Sequence, residues 1–107
     1  MCGFAGLISF KDSKDNIDNV LDMMGNSIQH RGPDGSGKWI SNCRNIGMIH
    51  KRLSIIDLTS NGTQPKASST GRFIITFNGE IYNHQNLRKR IENDLDVMPS
   101  WQGSSDT

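Results

Sequence analysis

The segment Arg72-Phe73-Ile74-Ile75-Thr76-Phe77 constrains the fold more than any other stretch of the chain. Side chains alternate across a strand, so Phe73, Ile75 and Phe77 share one face while Ile74 and Thr76 share the other. Both faces are largely apolar. Such a strand needs a covering layer on each side, which predicts a layered α+β sandwich.

The neighbouring segments supply the layers. Cys2 to Phe10 is glycine-spaced and rich in Phe, Leu and Ile, and reads as a buried strand starting at the N-terminus. Ile17, Val20, Leu21, Met24 and Ile28 place one apolar stripe on a helix, with Asp15 or Asn16 as its cap and a stop near Gln29 or His30. Arg31-Gly32-Pro33-Asp34-Gly35 is turn chemistry. Lys38-Trp39-Ile40 and Ile46-Gly47-Met48-Ile49 flank Ser41 to Asn45 as a hairpin. After the turn-rich Thr59 to Pro65 comes the doubly apolar strand. Asn83 then caps a second helix striped by Leu87, Ile91 and Leu95. The predicted order is β, α, ββ, β, α.

At 107 residues the chain holds one domain at most. With 12 Lys+Arg against 11 Asp+Glu and a net charge of +1, it lacks the concentrated positive field that nucleic acid or an anionic membrane surface requires. Its one basic run, Arg88-Lys89-Arg90, reads as the wet face of the second helix. No segment approaches the ~20 apolar residues of a membrane span, and no signal sequence opens the chain, so the expected location is the cytoplasm. There the two cysteines are expected to be free thiols. Hydrophobic residues make up 34% of the chain, which implies a thin core.

Cys2 is the residue with most chemical potential. Removal of Met1 leaves a thiol and a free α-amine on one residue, and an α-amine with a pKa of about 7.7–8.0 is a far better base at neutral pH than any Lys. A thiolate beside such a base is the nucleophile acyl transfer needs. Asn78-Gly79 follows the doubly apolar strand, where an amide side chain and a glycine N–H can meet the requirement for an oxyanion hole, although Asn-Gly is also a common hairpin turn. Arg52 is suited to a bidentate pair with a carboxylate. Glu80 and Asp106 are candidate acceptors for a substrate ammonium.

The motifs Met1-Cys2-Gly3-Phe4-Ala5-Gly6, His30-Arg31-Gly32-Pro33-Asp34-Gly35, His50-Lys51-Arg52-Leu53-Ser54-Ile55-Ile56-Asp57-Leu58, Gln64-Pro65, Phe77-Asn78-Gly79-Glu80-Ile81-Tyr82-Asn83 and Gly103-Ser104-Ser105-Asp106-Thr107 run the length of the chain. In order and spacing they resemble the glutaminase domain of glutamine-hydrolysing asparagine synthetases, class II amidotransferases of the N-terminal-nucleophile hydrolase type. Pro33-Asp34 and Arg52-Leu53-Ser54-Ile55-Ile56-Asp57 point to that branch rather than to the purine or glucosamine-phosphate enzymes. The same branch holds amidotransferases of surface-polysaccharide synthesis, which the Trp101 to Asp106 ending resembles.

The resemblance implies a four-layer αββα sandwich of which residues 1–107 are about the first half of one domain. It implies glutamine as substrate and a γ-glutamyl thioester on Cys2, with the oxyanion held by Asn78 and Gly79. Arg52 is implied to clamp the α-carboxylate and the main chain of Leu53, Ser54, Ile55 and Ile56 to shape the pocket, while Glu80 and Asp106 take the α-ammonium. It further implies a separate C-terminal synthetase domain that uses ATP and magnesium to activate aspartate or, in the polysaccharide branch, a sugar carboxylate. A homodimer is a further open expectation. No cofactor and no metal is expected in this piece itself, since His30, His50 and His84 lack ligand spacing.

Two other readings compete. Gly32-Pro33-Asp34-Gly35-Ser36-Gly37-Lys38 fills seven places of a phosphate-binding loop, but Trp39 stands where Ser or Thr must hold magnesium, and a helix precedes it where a strand is needed. The second is a non-catalytic interaction module, favoured if Met1 is retained or the chain stops short of a full domain. Asp106 lies one position from the last residue, so the doubly apolar strand is expected to lack part of its cover and the isolated piece to be poorly soluble, oligomeric or partly disordered.

Overall fold

A computed structural model describes residues 1–10, 16–55, 58–95, 99–101 and 103–107. Asp15, Ile56, Asp57 and Gln102, named in the sequence motifs or as a cap, lie outside the described residues. The described elements are β1 (Gly3–Ile8), α1 (Ile17–Ser27), β2 (Gly35–Ile40), β3 (Ile46–Arg52), β4 (Lys66–Ala67), β5 (Ile74–Ile75) and α2 (His84–Asp94), with 3-10 turns at Gln29–Arg31 and Ser60–Gly62.

The main sheet has the order β1-β3-β2 and is antiparallel throughout. The predicted hairpin forms with Ile40 opposite Gly47, and its strands run longer than the apolar residues alone suggested. Ser41 closes the turn: its hydroxyl accepts from the amides of Asn45 and Ile46. The N-terminal strand then adds to the free edge of β3, with Gly3 opposite Lys51 and Ile8 opposite Ile46.

Helix α1 follows its apolar stripe. Ile17 and Leu21 are buried against Ile49, with Ala5, Leu7, Met24 and Ile40 packed around them. Full burial of one such side chain contributes about 1.5–3 kcal/mol, so this small cluster dominates local stability. Asp18 and Asp22 on α1 pair with Lys38 of β2, and Asp18 also accepts from Arg44 at 2.6 Å. These pairs are exposed and serve mainly to fix the helix over the hairpin.

Several expectations are corrected. The N-terminal strand, expected to be buried, is buried on one face only: Gly3, Ala5 and Leu7 face α1, whereas Phe4 and Ile8 on the other face are 49% and 61% exposed. The doubly apolar segment pairs only through Ile74–Ile75 with Lys66–Ala67, and Phe73 and Ile75 are exposed. Helix α1 covers one face of the β1-β3-β2 sheet, and on the other face the described residues cover His50 but leave Phe4 and Ile8 open, while Phe73 and Ile75 of the separate two-stranded sheet show the missing cover expected of that strand. The smallest principal extent is 18 Å, room for two layers at ~10 Å spacing. The radius of gyration, 15.4 Å, exceeds the ~13 Å of a compact domain of this length.

Asn16 and Asn83 occupy the predicted N-cap positions, but neither side chain makes the capping bond. The Arg88-Lys89-Arg90 run is also not uniformly solvated. Arg88 stacks on Trp101 and donates to the Ser105 carbonyl at 2.7 Å, while Lys89 and Arg90 are exposed.

Candidate active site

Alternation along β3 places Gly47, Ile49 and Lys51 under α1, and His50 and Arg52 on the opposite face. Cys2 precedes β1 and, being two residues from Phe4, shares that opposite face. A cavity of about 410 Å³ opens there, lined among others by Cys2, His50, Arg52, Asn78, Gly79 and Asp106. Residues from both ends of the chain therefore meet on one concave surface of the size small-molecule sites occupy.

The Cys2 sulfur is fixed by Leu53, whose amide donates to Sγ at 3.3 Å and whose carbonyl lies 3.6 Å away to accept from the thiol. The turn motif after α1 holds this junction. Arg31 donates to the Cys2 carbonyl at 3.2 Å. The Asp34 amide donates to the Arg52 carbonyl, and its carboxylate accepts from the Ser54 amide at 2.8 Å. Residues 30–35, read from sequence only as a turn, are thus a brace for Arg52, Leu53 and Ser54.

Arg52 reaches across the cavity wall. Its guanidinium donates to the Thr59 carbonyl at 2.7 Å and lies flat on Gly62, where a β-carbon would overlap it. On the far side, Asp106 accepts from the Ile81 amide at 2.7 Å, which orients the carboxylate beside Glu80. The Asn78 side chain lines the cavity and has no hydrogen-bond partner among the described residues.

The expected site residues Cys2, Arg52, Leu53, Ile55, Asn78, Gly79, Glu80 and Asp106 all line the cavity. Ser54 does not line it, because its amide is turned to Asp34. The phosphate-loop look-alike at residues 32–38, set aside above on Trp39, runs from a turn into β2, where Gly35–Ile40 pairs with β3. Among the described residues no three His, Cys, Asp or Glu side chains converge as metal ligands. No described helix is long and apolar enough to cross a membrane.

Two cavity residues stand in the sequence motifs without an expected role in the site. Gln64 is buried, and His50 is only 1% exposed with neither ring nitrogen bonded among the described residues. The signal for His50 was available, because it stands two residues from Arg52 on the same strand. Burial pushes its pKa below the ordinary 6.5, opposed by the Phe77 backbone, which falls short of hydrogen-bond geometry, and assisted by the charge of Arg52.

The fold therefore disfavours the charged form of His50, and as pH falls the unfolded chain takes up the extra proton first. Stability is unaffected well above pH 6.5 and falls as pH drops through 6.5, levelling off below the folded value. Urea midpoints measured from about pH 8 to about pH 5 are expected to fall over the lower half of that range, and His50→Gln to flatten the slope. An unchanged slope in the variant excludes His50 as its source.

Comparison with known proteins decides the family. The model of the glutamine amidotransferase domain matches residues 1–107. The chain belongs to the glutamine amidotransferase domain family. It is 40% identical over 94 residues to asparagine synthetase [glutamine-hydrolyzing] 1 of Arabidopsis thaliana, which covers 87% of this chain and 15% of that protein. Asparagine synthetase [glutamine-hydrolyzing] 2 of Bacillus subtilis is 36% identical over 97 residues, covering 89% and 13%. A fungal relative, the amidase chry2 of Gibberella zeae, is 31% identical over 119 residues, covering 99% and 16%. This amidotransferase domain sequence thus spans less than a fifth of each of these three relatives.

Proposed function

We propose that the chain is the glutaminase portion of an asparagine-synthetase-like enzyme, with Cys2 as nucleophile. The observation that carries this reading is the meeting of Cys2, Asn78, Gly79, Arg52 and Asp106 on one cavity, an assembly drawn from positions 2 to 106. Each side chain has the chemistry of one part of glutamine. Arg52 takes the α-carboxylate and Asp106 with Glu80 the α-ammonium, which extends the side-chain amide toward Cys2.

The Cys2 α-amine takes the thiol proton as the sulfur attacks the amide carbon, and the resulting oxyanion is held by the Asn78 amide and the Gly79 N–H. Collapse expels ammonia, its nitrogen taking a proton from the Cys2 α-ammonium, and leaves a γ-glutamyl thioester. Water then adds to the thioester, the α-amine accepts its proton, and glutamate departs as the thiol reforms. Met1 lines the cavity and must be removed for this role, since in its presence the nitrogen of Cys2 is an amide.

The domain completes an N-terminal-nucleophile hydrolase sandwich of four layers, whose second sheet covers Phe4 and Ile8. Ammonia passes to a synthetase domain that activates a carboxylate with ATP and magnesium. Neither ATP nor magnesium fits the residues described, for the reasons given above, and no step here runs through them. The synthetase names of the plant and bacterial relatives favour aspartate as acceptor, and a sugar carboxylate is the alternative.

Treatment with a diazoketone analogue of glutamine, followed by intact and peptide mass measurement, tests the reading. The expected result is loss of Met1 and one adduct on Cys2, suppressed by glutamine. Arg52→Ala is expected to weaken that protection about tenfold or more, the cost of a lost charge-assisted bidentate pair. A retained Met1 with no adduct supports a non-catalytic module instead. Labelling that survives Cys2→Ala but vanishes in Cys43→Ala overturns the assignment.

A further inference from the structure

We propose that Gln64 is a positioning residue that locks the oxyanion end of the cavity to its ammonium end. The proposal rests on the glutaminase reading above and adds a residue to which that reading assigns no role. Gln64 is 7% exposed, and both ends of its side-chain amide are engaged. The oxygen accepts from the Phe77 amide at 2.6 Å, and the nitrogen donates to the Thr107 hydroxyl at 3.2 Å. Phe77 immediately precedes Asn78, and Thr107 immediately follows Asp106.

These bonds close a ring. From Gln64 the path runs to Phe77, along the chain through Asn78, Gly79 and Glu80 to Ile81, across to Asp106 through the 2.7 Å bond, and back through Thr107. Every polar group proposed to touch glutamine except Arg52 and Cys2 lies on that ring. The lock is needed because the ladder gives no support there: β5 ends at Ile75, and residues 103–107 pair with no strand. A side chain replaces the ladder as partner of the Phe77 N–H.

The ring is also referenced to the rigid sheet that carries Cys2 and Arg52. Gly37 of β2 lies against the Gln64 carbonyl so closely that a β-carbon would overlap the oxygen. Glutamine suits the position because one planar amide offers an acceptor and a donor at its two corners. Methionine, of similar length, offers neither.

The test uses the full-length protein and normalises activity to the number of Cys2 sites titrated by the diazoketone. Gln64→Met is expected to lower kcat per titrated site about 10- to 100-fold and to raise KM for glutamine, as a misplacement of catalytic groups by ~1 Å does. Thr107→Val is expected to raise KM about threefold or more while kcat stays within about twofold, and Thr107→Ser to restore KM. A residue that only supports folding would reduce the number of titratable sites and leave kcat and KM per site unchanged, and that result overturns the proposal. If Gln64→Met fails to fold, the Thr107 pair decides: an unchanged KM in Thr107→Val overturns it. If the unsubstituted protein neither labels at Cys2 nor releases ammonia from glutamine, the glutaminase reading itself is overturned.

Discussion

Cys2→Ala is expected to lower the release of ammonia from glutamine by about 10⁴-fold or more, the scale on which loss of a nucleophile is felt in a covalent mechanism. The substitution removes one sulfur and is expected to keep the fold, because the hydrogen bonds of that side chain among the described residues are those with the Leu53 backbone. In the synthetase-linked enzyme proposed above, ammonia supplied directly should still support amidation, which separates loss of the nucleophile from loss of structure. Cys43→Ala is the control. Cys43 lies exposed in the β2–β3 turn beside Ser41 and Asn45, away from the cavity, and its removal should leave hydrolysis unchanged. Coupled measurement of glutamate and ammonia checks both, and hydrolysis that persists in Cys2→Ala excludes the thioester.

The second large effect is expected at Asn78. Its amide is unpartnered among the described residues and Asn78 lines the cavity with Gly79, so Asn78→Ala removes the proposed oxyanion donor at little expected cost to packing. Loss of one such donor lowers kcat by about 10²–10³-fold, because the charge it meets exists only in the transition state. KM should change far less. Equal changes in kcat and KM, or a rise in KM alone, would place Asn78 in ground-state binding and remove it from the oxyanion hole.

The legible parts of the fold were those set by near neighbours. Ile17, Leu21 and Met24 define their helix because the spacing is local, and the hairpin around Ser41 follows from two apolar runs and a polar turn. The strand at Phe73 to Phe77 forms only at Ile74–Ile75 because a ladder depends on a partner from elsewhere in sequence, and its exposed Phe73 and Ile75 match the missing cover that the sequence implies. Cap positions were found at Asn16 and Asn83 without the capping bonds, since a side-chain rotamer is decided by tertiary surroundings. Cys2, Arg52, Asn78, Gly79 and Asp106, which line the cavity, carry chemistry distinctive enough to stand out in the sequence. Gln64 was not given a role, because its bonds reach 13 and 43 residues along the chain. The brace formed by residues 30–35 was hidden for the same reason: Asp34 and Ser54 meet only after the sheet has formed.

The placement of β1 implies an order of assembly. The β2–β3 hairpin closes over a five-residue turn, whereas the Cys2–Leu53 contact joins residues 51 apart. Short loops lose less entropy on closing, so the hairpin forms early and the N-terminal strand docks afterwards onto an edge already in place. The reactive sulfur is therefore among the last groups to reach its native environment. Selective alkylation of Cys2 against Cys43 then becomes a clock for the docking of β1 onto β3.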